Sequence, residues 1–161
     1  MHYIGIDPGL HGAIAVYDAE EHVVTIHDMP IRRITVNGKK RNRLDLVELS
    51  EILKGYSVGD RVLVEAVHAM PKQGVTSSFS FGFVFGAICQ AVTCELWGEP
   101  GLVSPQVWKR HYGLTADKNS ARAKAAEIFP AQASLFARKK DDGRAESSLI
   151  ALYGWEMSKT R

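Results

Sequence analysis

The chain reads as a mixed α/β protein: one sheet of five strands with helices packed on its faces. Two observations predict this. Near the N-terminus three short apolar runs, near 2–7, 12–17 and 22–28, follow one another with only turn residues between them, the pattern of antiparallel neighbours. Beyond residue 44 the apolar residues alternate between helical spacing and one continuous run, the pattern of helices crossing between strands. The length of 161 residues suits one core and one domain, taken as 1–161.

The first run, Tyr3-Ile4-Gly5-Ile6-Asp7, ends at Pro8-Gly9, a turn signal that stops pairing. Gly12 to Tyr17 is the second strand, and His22-Val23-Val24-Thr25-Ile26-His27 lies in the third. The basic segment 30–43 reads as a loop or a hairpin, with Asn37-Gly38 as its turn signal. Residues 44–54 form an amphipathic helix ended by Gly55, and 61–65 form the fourth strand. A long helix follows from about 75 to 91, and 95–103 is the final strand, irregular around Gly98-Glu99-Pro100-Gly101. Short helices occupy about 105–111 and 118–129. Leu149, Ile150, Leu152, Tyr153 and Met157 place a terminal amphipathic helix at about 143–158.

Composition excludes more than it assigns. No apolar run approaches the roughly 18 residues that span a bilayer, and no charged segment precedes an apolar one at the N-terminus. The expectation is a cytoplasmic protein with no membrane partner. Cys89 and Cys94 lie in an apolar stretch and read as buried free thiols of a reducing compartment. The net charge is only +2, but its distribution is uneven. Arg32-Arg33, Lys39-Lys40-Arg41, Arg43, Lys109-Arg110-His111, Lys118 with Arg122 and Lys124, and Arg138-Lys139-Lys140 carry few acids among them. Such clusters are either solvated surface or a face that follows phosphates.

The acids carry the chemistry. Asp7 sits at a strand end, where Asp is depleted unless it is used; the alternative is a turn residue bonded to its own backbone. Glu65 ends the run Val62-Leu63-Val64 with no adjacent cation, so it needs a metal, a hydrogen bond or a distant basic partner. Asp142 and Glu146 are four apart and share one face of the terminal helix, where like charges repel by about 0.2–0.5 kcal/mol. The alternative is an N-cap at Asp141 or Asp142 with Glu146 in the first turn. Asp141 would lie about 140° around the helix from Glu146, which favours Asp142 as its companion. Asp7, Glu65, Asp142 and Glu146 together are hard oxygen ligands with no His or Cys cluster beside them, a set suited to Mg²⁺ or Mn²⁺. Such a cluster can hold two ions about 3.5–4 Å apart and promote in-line phosphoryl displacement.

Five segments in order then resemble a known family: Ile4-Gly5-Ile6-Asp7-Pro8-Gly9, Val62-Leu63-Val64-Glu65, 73–82, Pro105-Gln106-Val107-Trp108-Lys109 and Asp142-Gly143-Arg144-Ala145-Glu146. The chain resembles the RuvC family of Holliday junction resolvases, most of all the compact versions of bacteriophages, from about residue 3 to residue 154. The resemblance implies a ribonuclease H-like fold, two Mg²⁺ ions per site with Mn²⁺ able to substitute, and a homodimer. The implied activity is paired nicking of four-way DNA junctions in a bacterial or phage-infected cell, with no nucleotide cofactor. Bacterial relatives space their two helix acids three apart; here the spacing is four.

By the same resemblance Lys109 and Lys118 match positions near the scissile phosphate. Each either neutralises that phosphate or contacts it as ordinary surface. Where bacterial relatives carry an aromatic wedge, this chain has His68 with Met70 nearby, followed by Lys72; the segment is either a wedge or a plain loop. Lys39, Lys40, Arg41 and Arg110 complete the expected DNA contacts. The family dimerises through the long helix, where Phe79, Phe81, Phe83 and Phe85 crowd beside Gly82 and Gly86. That helix is either an interface or buried on two sides. Alternatives in function are a broader branched-DNA debranching nuclease and a junction-binding protein without chemistry. An actin-like kinase also opens on Ile-Gly-Ile-Asp, but this chain has no room for its second lobe.

Overall fold

A computed structural model describes residues 1–68, 74–117 and 119–160. Strands β1 (His2–Ile6), β2 (Ala13–Asp18) and β3 (Val23–Asp28) pair antiparallel in sequence order. A separate hairpin, β4 (Ile31–Val36) and β5 (Lys39–Leu44), turns at Asn37-Gly38 with φ of 50° and 73°. Two consecutive positive φ values are what a two-residue hairpin turn requires, so the basic segment is a hairpin and not a loop. Helix α1 (Leu46–Lys54) is capped by Asp45, which accepts from the Val47 and Glu48 amides. Strand β6 (Arg61–Glu65) then joins β1 in parallel, and β7 (Gly101–Val103) joins β6 in parallel. The sheet order is β3-β2-β1-β6-β7, a mixed five-stranded sheet.

Strand alternation sorts the side chains into two cores. Ile4, Ile6, Val62 and Val64 point to the face covered by α1 and α2 (Val75–Leu96). Tyr3 and Leu63 point to the opposite face, covered by α3 (Pro105–His111), α4 (Asn119–Ile128) and α5 (Asp142–Ser158). By the same alternation, Asp7 and Glu65 must emerge on the α5 side. A 3₁₀ turn at Pro130–Phe136 and another at Lys139–Asp141 lead into α5.

The α5 side is packed unusually close. A Cβ placed on Gly5 would lie 2.2 Å from the Ser147 carbonyl oxygen and 2.3 Å from the Ala151 amide nitrogen. Only a residue without a side chain lets α5 lie directly on β1. A second such contact sits one element further: a Cβ on Gly143 would meet the His11 carbonyl oxygen at 2.5 Å.

The long helix differs from expectation in two ways. It continues to Leu96, so Glu95 and Leu96 are helical and the final strand shrinks to three residues. Trp97 ends the helix with a left-handed φ of 55°, a conformation without a clear signature in a Trp. In addition, 75–94 carries no charged residue, and an 18-residue window of α2 has mean hydropathy 1.5. The helix is therefore long and apolar enough to cross a membrane by composition, contrary to the sequence expectation. Here its stripe of Val84, Ile88, Val92 and Leu96 closes one core of the sheet. Its other side is open among the described residues: Phe79 is 79% exposed, and none of them lies within 4 Å of a Cβ on Gly82 or Gly86. Among the described residues nothing covers that side, so they do not bury the helix on both faces. The thiols also differ from expectation, since Cys89 is half-buried and Cys94 is exposed.

The close approach at Gly5 is testable by the smallest possible addition. Gly5→Ala should destabilise the fold by about 3 kcal/mol or more, because backbone atoms rather than a flexible side chain must move. Urea denaturation reads the change, and an unaltered midpoint would show that α5 does not sit so near.

Candidate metal centre

The site forms where β1 and β6 end. Ile6 pairs with Val64 in parallel register, so Asp7 and Glu65 follow side by side at the carboxyl edge of the sheet. Ligands of open α/β sheets gather at that edge. Asp7 is fixed by its amide donating to the Ala13 carbonyl at 3.1 Å. The Gly9 amide donates to the Asp7 carboxylate at 3.4 Å, so part of the turn-residue reading holds as well. Helix α5, admitted by Gly5, brings Glu146 over the same edge. The carboxylate oxygens of Asp7, Glu65 and Glu146 lie within 4.8 Å of one another.

Glu65 answers the question its sequence raised. Its partner is not a distant cation but the buried indole of Trp108, whose Nε1–H donates to Oε1 at 3.0 Å. Trp108 is fully buried on α3. Sequence reading quoted this residue only within a motif and missed its role. A buried indole needs an acceptor, which was the available signal. Its neighbour Lys109 donates from Nζ to Glu146 Oε1 at 2.7 Å and lies 5.1 Å from the Trp108 ring centre. One short helix thus orients two of the three acids.

The electrostatics follow from this crowding. Burial, then the charges of Glu146 and Glu65, push the Asp7 carboxyl up to about 7. Burial, then Glu146, also raises Glu65, while the Trp108 hydrogen bond and Lys109 pull it down. Burial works against charge on Lys109, but its bond to Glu146 and the neighbouring acids outweigh that and raise its pKa. Two carboxylates that burial and their neighbours hold back from charge, set beside a third with Lys109 the one lysine there among the described residues, fit a hard divalent cation.

The helix acids resolve differently. Asp141 is 1% exposed and bound by Arg138 through its backbone amide and its guanidinium. Although burial opposes charge there, those bonds hold its carboxyl below the usual range. It anchors the start of α5. Asp142 lies one turn before Glu146 and lines the same cavity of about 450 Å³, together with Lys109 and Asp117. Its carboxylate is not within the cluster of three; Oδ1 faces Arg122 Nε at 2.8 Å. The four-residue spacing also has a physical reason. Three residues before Glu146 stands Gly143, whose contact with the His11 carbonyl leaves no room for a side chain.

Lys39, Lys40 and Arg41 lie exposed on β5. The hairpin is tied at its base to the loop that follows Asp7: Met29 N donates to the Gly12 carbonyl at 3.0 Å, and Asp45 N to that of Pro30 at 2.9 Å. Register divides its cations, since residues directly opposite share a face. Arg41 and Arg43 lie opposite Ile34 and Arg32 and turn toward α2, where Arg43 covers Phe83 at 5.3 Å. Lys40 shares the other face with Arg33 and Asn42. His68 is exposed three residues past Glu65, and Arg110 is exposed on α3. Met70, Lys72 and Lys118 lie outside the described residues.

Neither a protein-family model nor a curated protein sequence matches this chain. Solved structures do. The structure of T. thermophilus RuvC in complex with a Holliday junction substrate matches with a TM-score of 0.64 at 15% identity, covering 99% of this chain and 96% of that one. The fold is that of RuvC. A second Thermus thermophilus RuvC structure matches with a TM-score of 0.56 at the same identity and coverage. The mixed sheet with its flanking helices is therefore the ribonuclease H-like fold expected from the sequence.

The raised Asp7 pKa has a measurable consequence without metal. A carboxyl at about 7 in the folded chain and near 4 in the unfolded chain binds its proton more tightly when folded. Stability then falls as pH rises from about 4 through about 7, and the full penalty stands above that. In chelator-treated protein, Asp7→Asn should raise the melting temperature at pH 8, by a gain of up to about 4 kcal/mol, and leave it nearly unchanged at pH 4. Equal effects at both pH values would show that burial and the neighbouring acids do not raise Asp7.

Proposed function

We propose that this protein is a Mg²⁺-dependent endonuclease that resolves four-way DNA junctions, a compact resolvase of the bacteriophage kind acting as a homodimer on paired strands. One observation carries the reading: three carboxylates from two adjacent strand ends and one helix converge within 4.8 Å on a RuvC fold. Asp7, Glu65 and Glu146 would hold the first cation, with Mn²⁺ able to replace Mg²⁺. Asp142, in the same cavity and one turn before Glu146 on the same helix, is the acid assigned to a second. When bound, such cations supply Lewis acidity toward a phosphodiester and lower the pKa of water.

The chain's own residues do the remaining work. Trp108 holds Glu65 in one rotamer through its N–H and keeps water from that side of the carboxylate. Asp7 gives up the proton that the metal-free site retains near neutrality. Lys109 orients Glu146 and offers positive charge to a phosphate entering the cavity. Lys118 is assigned the same task by sequence. Lys40 and Arg33 on one face of the hairpin, Lys39 and Arg41 on the other, with Arg110 on α3, would follow the backbones of the junction arms. His68 and Met70 are the candidates for an insertion at the junction centre, and Lys72 for a phosphate contact beside it. The open side of α2, with Phe79 exposed and Gly82 and Gly86 uncovered, is the surface assigned to the second subunit. Two-fold symmetry then gives two cuts related as the two strands are.

A supercoiled plasmid that extrudes a cruciform tests chemistry and pairing together. With Mg²⁺ the wild-type protein should release linear plasmid with little nicked circle, since both cuts fall within one binding event. Asp7→Asn, Glu65→Gln and Glu146→Gln should each lower the rate by at least about 10³-fold while junction binding persists. Accumulation of nicked circles would remove the paired dimer. Equal cleavage of plasmids without a cruciform would leave a general nuclease, and activity retained by Asp7→Asn would remove the metal centre.

A further inference from the structure

Arg122 faces Asp142, the acid one turn before Glu146 that stands outside the cluster of three. It lies on α4, largely buried, with its side chain 15% exposed. Its Nη1 donates to the Ala137 carbonyl at 3.3 Å and its Nη2 to the Asn119 side-chain oxygen. These two bonds tie the guanidinium to the start of α4 and to the chain leading into α5. The remaining nitrogen, Nε, faces Asp142 Oδ1 at 2.8 Å. Both atoms are shielded from solvent, and neither makes an aligned hydrogen bond among the described residues. The contact is thus a charge pair with misdirected geometry. Such a pair is held by Coulomb attraction in a low-dielectric setting and lacks the directional bond that would make it permanent.

The neighbouring geometry gives this pair a consequence. Asp142 and Glu146 are one turn apart on the same face of α5 and line one cavity. Gly143 cannot be replaced as a ligand position, because its backbone abuts the His11 carbonyl. Glu146 is engaged by Lys109, and Asp141 by Arg138. Asp142 is therefore the sole acid of this turn that could join a second cation, and its present partner is an internal cation.

We propose that Arg122 is a positioning residue that latches Asp142 away from the cluster, so that a second divalent cation binds only by displacing the guanidinium. The proposal rests on the metal-centre reading above and adds to it a built-in weakening of the second site. The first cation, on Asp7, Glu65 and Glu146, is independent of the latch. The second competes with Arg122 for one carboxylate.

Mn²⁺ binding followed by calorimetry, without DNA and without cleavage, tests this. In the wild type two steps are expected, and Arg122→Gln should tighten the weaker one by about tenfold, within the range of coupling between groups in direct contact. The tighter step should stay unchanged to within about twofold. In an Asp142→Asn background the same Arg122 change should give at least about fivefold less gain. Equal gains in the two backgrounds would mean a general field effect and overturn the latch, as would no gain at all. Arg122→Lys, which keeps the charge, should behave as the wild type. A second measurement needs no variant: on Mg²⁺ titration of the wild type, the Asp142 carboxylate ¹³C and Arg122 Nε resonances should shift together at the weaker step. An Asp142 signal that stays fixed at saturation would show a permanent structural pair and overturn the proposal. A tighter step unaffected by Asp7→Asn would instead remove the metal centre itself, and the latch with it.

Discussion

The approach of α5 to β1 limits everything at the candidate centre, and that limit is set by a missing side chain. Gly5 lies two residues before Asp7 on the same face of the strand, so the residue that admits the helix and the residue that faces it belong to one alternation. If α5 stood off by the thickness of a methyl group, Glu146 would leave reach of Asp7 and Glu65. Parallel pairing of β1 with β6 supplies the other half of the constraint, because it sets two carboxylates side by side at one sheet edge. Fold and site are coupled through backbone contacts rather than through the site's own polar bonds.

That coupling carries an electrostatic cost. Burial, and then the crowding of three carboxylates, raises the pKa of Asp7 and Glu65, and the compensation is partial: one lysine on Glu146 and one indole on Glu65. Among the described residues, the Asp7 carboxylate accepts one long backbone bond, from Gly9. Acids at structural positions are treated differently. Asp141 and Asp28 are each bound by an arginine through paired bonds and are held below their usual range. The contrast between satisfied structural acids and strained acids at the sheet edge is the pattern expected of a site that awaits a cation.

Much of this was legible in the chain. Asp7 and Glu65 stood out because acids end apolar strands only under compulsion, and Asn37-Gly38 announced its turn by residue type alone. Glu146 could be placed by helical spacing. What escaped the sequence depends on tertiary distance or on rare backbone states. The limit of α2 hangs on a left-handed Trp97, so two of its residues read as strand. The membrane-length apolar run was overlooked because serines and threonines interrupt it, although they carry no charge. The indole on Glu65 and the guanidinium on Asp142 each join residues from separate elements, and no local pattern encodes such pairs. The split of the hairpin's cations between two faces appears only once register is known.

The central claim is that Asp7, Glu65 and Glu146 form one cation site. Crystals of the protein equilibrated with Mn²⁺ test it most directly through anomalous scattering. The account predicts the strongest peak among these three carboxylates, within coordinating distance of each, with the Trp108 indole still bonded to Glu65. A strongest peak elsewhere on the molecule, with the three carboxylates unliganded at saturating Mn²⁺, would contradict it.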